Sequence, residues 1–274
     1  NLMLDSLYIL KDFKGMFEAT KEFQATALNR PPFDAKLAEF EQGLGFKFCN
    51  DKEEAKDWLA AASCFQDYAD AFPASEYAPK ALWSASVAWE NHSELGKAIE
   101  TRIKLLKEYS TDEDLAPRAL FAIAGNFHGI AVYSEAAQFY EMFVEKYPNN
   151  HTACVGIGET SDQPCAQLAL QNAAAFRSGL GQYEQAVKDF DLYIKMFPKD
   201  KDQISMLMFN TGRIYFDQKL YDKAIERYQD YISKFGKSGP LGRLVAAYTA
   251  IGRCHWRSNR KSEGLKWYEK AEEI

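Results

Sequence analysis

Ala61, Phe65 and Tyr68 are separated by four and three residues, and Pro73 follows the alanine by twelve. Spacings of three and four place these side chains on one face of a helix. The proline then ends it, lacking the N–H a helix needs and clashing with the turn before it. The pattern recurs as Ala136, Tyr140, Phe143, Pro148 and as Ala186, Phe190, Tyr193, Pro198. Ala19 with Pro31 keeps the spacing over Phe23 and Thr26. Ala98 with Ser110 and Ala224 with Gly236 keep it with a different breaker, over Arg102, Leu105 and Tyr228, Tyr231, while Gly264 marks a truncated last copy.

A second small residue lies twelve places before most of these markers: Ser86, Ala124, Ala174, Gly212 and Gly252. Small residues on both helices allow close backbone approach, and the large residues four places earlier (Leu82, Leu120, Leu170, Met208, Tyr248) fill the space around the crossing. Gly- or Asp/Lys-rich turns such as Gly181-Gln182-Tyr183-Glu184 and Lys219-Leu220-Tyr221-Asp222 reverse the chain between the two helices. The register of small residue, alanine, aromatic and proline resembles the tetratricopeptide repeat family over essentially the whole chain. That resemblance implies an all-α fold, a right-handed superhelical solenoid of antiparallel helix hairpins with about seven repeats. The expected repeats run over 1–34, 35–75, 76–113, 114–150, 151–200, 201–240 and 241–274 as a single body. Marker intervals of 42, 37, 38, 50, 38 and 40 residues exceed the usual period of about 34, so longer connections are expected.

The connection Phe72-Pro73-Ala74-Ser75-Glu76-Tyr77-Ala78 is similar to the linker of bacterial cell-envelope members of the family, such as the repeat lipoprotein of the β-barrel assembly machine and the Tol–Pal coordinator. Its mechanics read as Pro73 stopping one helix, Ser75 capping the next and Tyr77 wedging between hairpins. Asn29-Arg30-Pro31-Pro32 closes the first hairpin, and the charged stretch Lys47–Lys56 reads as a long turn. The last copy lacks a polar capping helix and the chain begins at Asn1, so the native chain is expected to extend at both ends.

Composition changes this picture in one respect. Net charge is −6, which argues against nucleic acid as partner, but residues 1–198 carry −11 and residues 199–274 carry +5. No apolar run is long enough to span a bilayer.

The 149–165 insertion is rich in Gly, Pro and small polar residues and has Cys154 and Cys165 near its ends. A Cys154–Cys165 disulfide would close it, for about 2–3 kcal/mol, and points to an oxidising compartment, periplasmic or outer-membrane-associated, with the cytoplasm as the alternative. A metal site of His151, Cys154 and Cys165 is a weaker reading, since zinc favours four ligands in closely spaced pairs; no metal or cofactor is expected. Cys49, Cys64 and Cys254 read as buried small hydrophobes, with a Cys49–Cys64 bond the less favoured option.

Motifs for phosphate binding, a serine nucleophile or a zinc protease do not occur, and the four histidines are scattered, so no enzyme is expected. The resemblance implies that the first helix of each hairpin lines a concave groove. Lys80, Trp83, Arg118, Phe121, His128, Phe209, Arg213, Phe216, Arg253, Trp256 and Arg257 are the groove candidates. In the last two copies, arginines beside aromatics have the composition of binding hot spots. The expected function is a non-catalytic scaffold of the cell envelope that docks a protein or peptide segment, acidic at the C-terminal groove. Alternatives are a structural subunit of a trans-envelope machine or a glycan-binding repeat protein.

Overall fold

The computed structural model describes residues 6, 7, 9, 10, 12–26 and 33–274, so the Asn29–Pro32 closure lies outside the described residues. Those residues form helices and connections, with no strand among them. Two compact units are present. The first spans residues 1–131 with 150–162, and the second spans 132–149 with 163–274.

The first unit holds α1 (Phe13–Gln24), α2 (Phe33–Glu54), α3 (Trp58–Ala71), α4 (Ala78–Asn91), α5 (Leu95–Glu108) and α6 (Leu115–Gly129). The second holds α7 (Tyr133–Lys146), α8 (Cys165–Gly179), α9 (Tyr183–Met196), α10 (Lys201–Asp217), α11 (Tyr221–Phe235), α12 (Leu241–Arg257) and α13 (Lys261–Glu272). Within each unit every helix packs on its sequence neighbours. First helices of successive hairpins also touch, α4 against α6 and α10 against α12. This is the stacked-hairpin architecture that the helical spacing predicts.

The marker alanines sit at the helix crossings. Ala61, Ala98, Ala136, Ala186 and Ala224 are fully buried, and the large residues four and seven places on are buried with them, Arg102 included. The small partners matter sterically. A Cβ on Gly252 would lie 2.9 Å from the Tyr268 ring and 3.1 Å from the Gly264 carbonyl oxygen, so these two glycines let α12 and α13 cross backbone to backbone. Five residues before each marker from Ala61 onward the backbone turns left-handed, at Lys56, Ser93, Ala131, Gly181, Lys219 and Asn259. Gly181 takes that conformation without steric cost and Asn259 tolerates it; each of the others carries about 1–2 kcal/mol of strain. The neighbouring hydrogen bonds close each helix end. The Leu220 N–H donates to the Tyr215 carbonyl and Lys219 N–H to Phe216, and Glu94 to Trp89 and Ser93 to Glu90 repeat the arrangement.

Polar bonds join positions about one repeat apart. Asp70 pairs with Lys104, Asp191 with Arg227 and Asp222 with Arg260, while Tyr109 donates to the Pro73 carbonyl. A periodic sequence supplies both partners of such a bond at once, since equivalent surfaces of successive hairpins face each other.

In the 72–78 linker Tyr77 stacks on Phe46 of the preceding hairpin, with ring centroids 5.2 Å apart, as a wedge would. Ser75 acts differently from the expected cap. Tyr77 occupies the N-cap position without a side-chain bond, and Ser75 Oγ instead accepts the Tyr77 N–H and bonds Tyr68 Oη.

Two expectations need correction. Lys47–Glu54 is helical, the last part of α2, because Lys47 pairs with both Asp51 and Glu54 along the helix and turns the charge run into internal support. Cys49 and Cys64 form a disulfide, Cα–Cα 5.4 Å, linking α2 to α3 across the hairpin. Both cysteines lie on helices, as their spacing implies, and the two helices of the hairpin bring Cys49 opposite Cys64. Cys154 and Cys165 are each disulfide-bonded as well, and Cys254 is free and buried. Sulfurs held in disulfides are not thiolate ligands, and His151 Nδ1 bonds the Ser161 carbonyl at 2.8 Å, so the alternative metal set is spent on structure.

Candidate functional site

A cleft of 430 Å³ opens in the second unit between α10 and α12, with α11 beneath it. One wall is Phe209, Arg213, Phe216 and Asp217, spaced four, three and one, a single face of α10. The other is Gly242, Val245, Ala246, Thr249, Ala250 and Arg253, one face of α12, and Tyr228 of α11 forms the floor. Nothing lies within 4 Å of where a Gly242 Cβ would stand, which leaves that end of the cleft open.

The floor is held by aromatic packing. Phe209 meets Tyr228 edge-on at 5.3 Å and Tyr231 at 6.0 Å, and Phe216 meets Tyr221 at 5.7 Å. The Arg253 guanidinium lies 5.9 Å from the Phe216 ring centroid, a cation–π contact that orients it across the cleft. Burial raises the pKa of the Tyr228 phenol, so it stays neutral and the cleft's charge is that of Arg213, Arg253 and Asp217. Burial also pushes the Cys254 thiol on α12 up to about 12, which removes it as a nucleophile at neutral pH.

The arginines of this cleft differ from most of the others; Arg257, outside the lining, is likewise exposed and has no carboxylate partner among the described residues. Arg102, Arg118, Arg177, Arg227 and Arg260 each pair with a carboxylate, and Arg243 donates to Ser205 Oγ. Among the described residues Arg213 and Arg253 have no such partner, though both are exposed. Of the groove candidates, Phe209, Arg213, Phe216 and Arg253 are thus brought together. Trp256 and Arg257 lie one turn further along α12, outside the lining; Trp256 is 45% exposed and stacks under Lys261 Nζ at 5.4 Å.

In the first unit Arg118 and Trp83 are drawn toward the interior. Arg118 is only 4% exposed, bonded to Asp114 and to the Val155 and Gly156 carbonyls of the insertion, which it anchors. Trp83 is half-buried beneath Arg102, whose Cζ is 5.4 Å from its ring. Arg102 in turn holds Glu90 and Asn126, so this face is organised around a buried cation. Arg102 stands where other copies place an aromatic, and that departure was the sequence signal for this cluster. Lys80 and His128 are exposed and Phe121 is half-buried.

The sequence matches tetratricopeptide repeat family models over residues 118–150, 169–240 and 245–274. The chain is a tetratricopeptide repeat protein. This repeat protein is a protein–protein interaction scaffold, of a family whose repeats generally act without catalysis. Among curated proteins none matches the sequence. Solved structures with a similar fold include MamA, at 17% identity over 73% of this chain and 92% of that one, TM-score 0.43. A tetratricopeptide repeat protein of Parabacteroides merdae is similar at 15% over 99% and 90%, TM-score 0.38. YrrB, described as having an unusual peptide-binding site, is similar at 13% over 77% and 91%, TM-score 0.42. At such identities no detail of a binding site carries across.

Proposed function

We propose that this repeat protein docks a segment of a partner protein in the α10–α12 cleft, as a scaffold of the bacterial cell envelope. The observation that carries the docking site is the pair of exposed arginines without carboxylate partners above an aromatic floor. Of the other described arginines all but the exposed Arg257 are spent on internal bonds, and two uncommitted arginines facing one apolar cleft have the composition of a binding hot spot. The envelope assignment rests on the oxidised cysteines together with the Phe72–Ala78 linker. Disulfides persist in oxidising compartments and are rare in the cytosol. No helix of the described residues is long and apolar enough to cross a membrane.

A photo-crosslinking residue placed at Ala246, in the wall of the cleft, tests the docking. The expected result is one dominant adduct in cells, lost on charge reversal of Arg213 and Arg253. An adduct pattern indifferent to both reversals would remove the cleft from the function. Acid-quenched thiol labelling of cells tests the compartment: only Cys254 should be modified after unfolding without reductant. Labelling of Cys49 and Cys64 would place the chain in a reducing compartment.

A further inference from the structure

The cleft's chemistry narrows what can occupy it. We infer that it recognises a short peptide segment in which a carboxylate side chain stands next to an aromatic or branched apolar residue. This inference rests on the docking reading above and specifies its ligand.

Three features of the walls lead there. Arg213 and Arg253 come from different helices, forty residues apart in sequence, and face one cleft. Both are exposed and carry no partner carboxylate among the described residues. Two guanidinium groups on one cleft attract an anion, and guanidinium matches the planar fork of a carboxylate. Beneath them Phe209, Phe216 and Val245 offer apolar surface, and 430 Å³ is room for one or two side chains rather than a helix. The apolar neighbour therefore fills the floor while the carboxylate meets the arginines.

Asp217 adds a polarity. It is exposed at the Phe216 end of the same wall and makes no ion pair among the described residues. It would repel a second carboxylate at that end and accept a backbone N–H or a basic side chain. The open end lies by Gly242, where no atom stands within 4 Å of a Cβ position. The expected ligand thus has its acidic residue toward the arginines and no further acid toward Asp217. The +5 balance of residues 199–274 draws acidic segments toward this part of the chain.

Panning a randomised dodecapeptide phage library on the intact chain, and in parallel on the Arg213→Glu/Arg253→Glu variant, tests this. Enriched sequences on the wild type should carry Asp or Glu beside Phe, Tyr, Trp, Leu or Ile, and the variant should not enrich them. A fluorescein-labelled Gly-Ser-Glu-Phe-Gly-Ser peptide then gives the affinity by anisotropy. Each single arginine reversal, or Glu replaced by Gln in the peptide, should weaken binding roughly ten- to hundred-fold, the range for hydrogen bonds to charged groups. Thr249→Trp, which fills the cleft and leaves its charge alone, should weaken it comparably. Circular dichroism of each variant confirms that it is folded.

Enrichment of neutral or basic peptides, or equal binding by a peptide with Ser in place of Phe, would overturn the ligand chemistry while leaving docking intact. Failure of every peptide together with loss of the Ala246 cross-link would sink both. Self-association abolished by the same variants, without peptide binding, would assign the cleft to a second copy and overturn the proposal.

Discussion

Gly212→Ala puts the close helix crossing to the test. The new Cβ would stand 2.7, 2.8 and 2.9 Å from Cε1, Cζ and Cδ1 of the Tyr228 ring, all below van der Waals contact. That ring is 3% exposed and packed against Phe209, so it cannot swing aside as the end of a flexible chain would. Alanine in a helix interior gains about 1 kcal/mol over glycine, and overpacking a filled core costs about 1–3 kcal/mol. Three overlaps on one rigid ring place the cost in the upper part of that range, so the net loss is about 1–2 kcal/mol. Gly125→Ala in α6 is the control, because no atom lies within 4 Å of its Cβ position; it should gain about 0.5–1 kcal/mol. Urea unfolding measures both. Native-state hydrogen exchange on α10 and α11 accompanies it, because repeat arrays unfold in parts as well as globally. If Gly212→Ala raised the midpoint as Gly125→Ala does, the crossing would be loose and the reasoning wrong. Displacing Tyr228 also moves the floor of the cleft, so the same variant should weaken peptide binding.

Asp189 of α9 is buried, and burial first, then the charge of Glu141, raise its carboxyl to about 7 against the tempering pull of Arg177 and Lys188. A raised acid contributes stability that is complete below its unfolded value near 4 and is lost as pH rises through about 7. Asp189→Asn should therefore melt higher than wild type at pH 8, by about 1–3 kcal/mol, and match it at pH 4; equal melting at both would count against the burial argument. Replacing Cys49 and Cys64 by alanine should cost about 3 kcal/mol for a bond closing so short a loop, read as a lower melting temperature under oxidising conditions. Glu90→Ala leaves the buried Arg102 guanidinium with Asn126 alone and should cost about 3 kcal/mol. Adding Arg102→Met should recover most of that, and no recovery would show that the cation is not the source of the loss.

The period of the chain is written in its sequence because stacking repeats one set of contacts. Marker alanines, their small partners and the large residues four and seven places on are local in spacing and recur, and from Ala61 to Ala224 they are the residues found at the crossings, whereas in the first copy Ala19 is only half-buried and Phe23 and Thr26 are exposed. The left-handed turns were legible as turns, yet only Gly181 and Asn259 carry residues that such a backbone favours. At Lys56, Ser93, Ala131 and Lys219 the packed helices on either side impose the conformation against local preference. Charge alone misplaced Lys47–Glu54, since a charged run reads as loop until its i,i+4 partner is seen. Which arginines are free was beyond the sequence altogether. Arg102, Arg118 and Arg213 are alike as letters. Arg102 finds Glu90 twelve residues away and Arg118 finds carbonyls of the insertion, and Arg213 faces Arg253 across a cleft. Spacing along a helix determines which face a side chain occupies; whether that face meets a carboxylate, a carbonyl or open space depends on elements far apart in the chain.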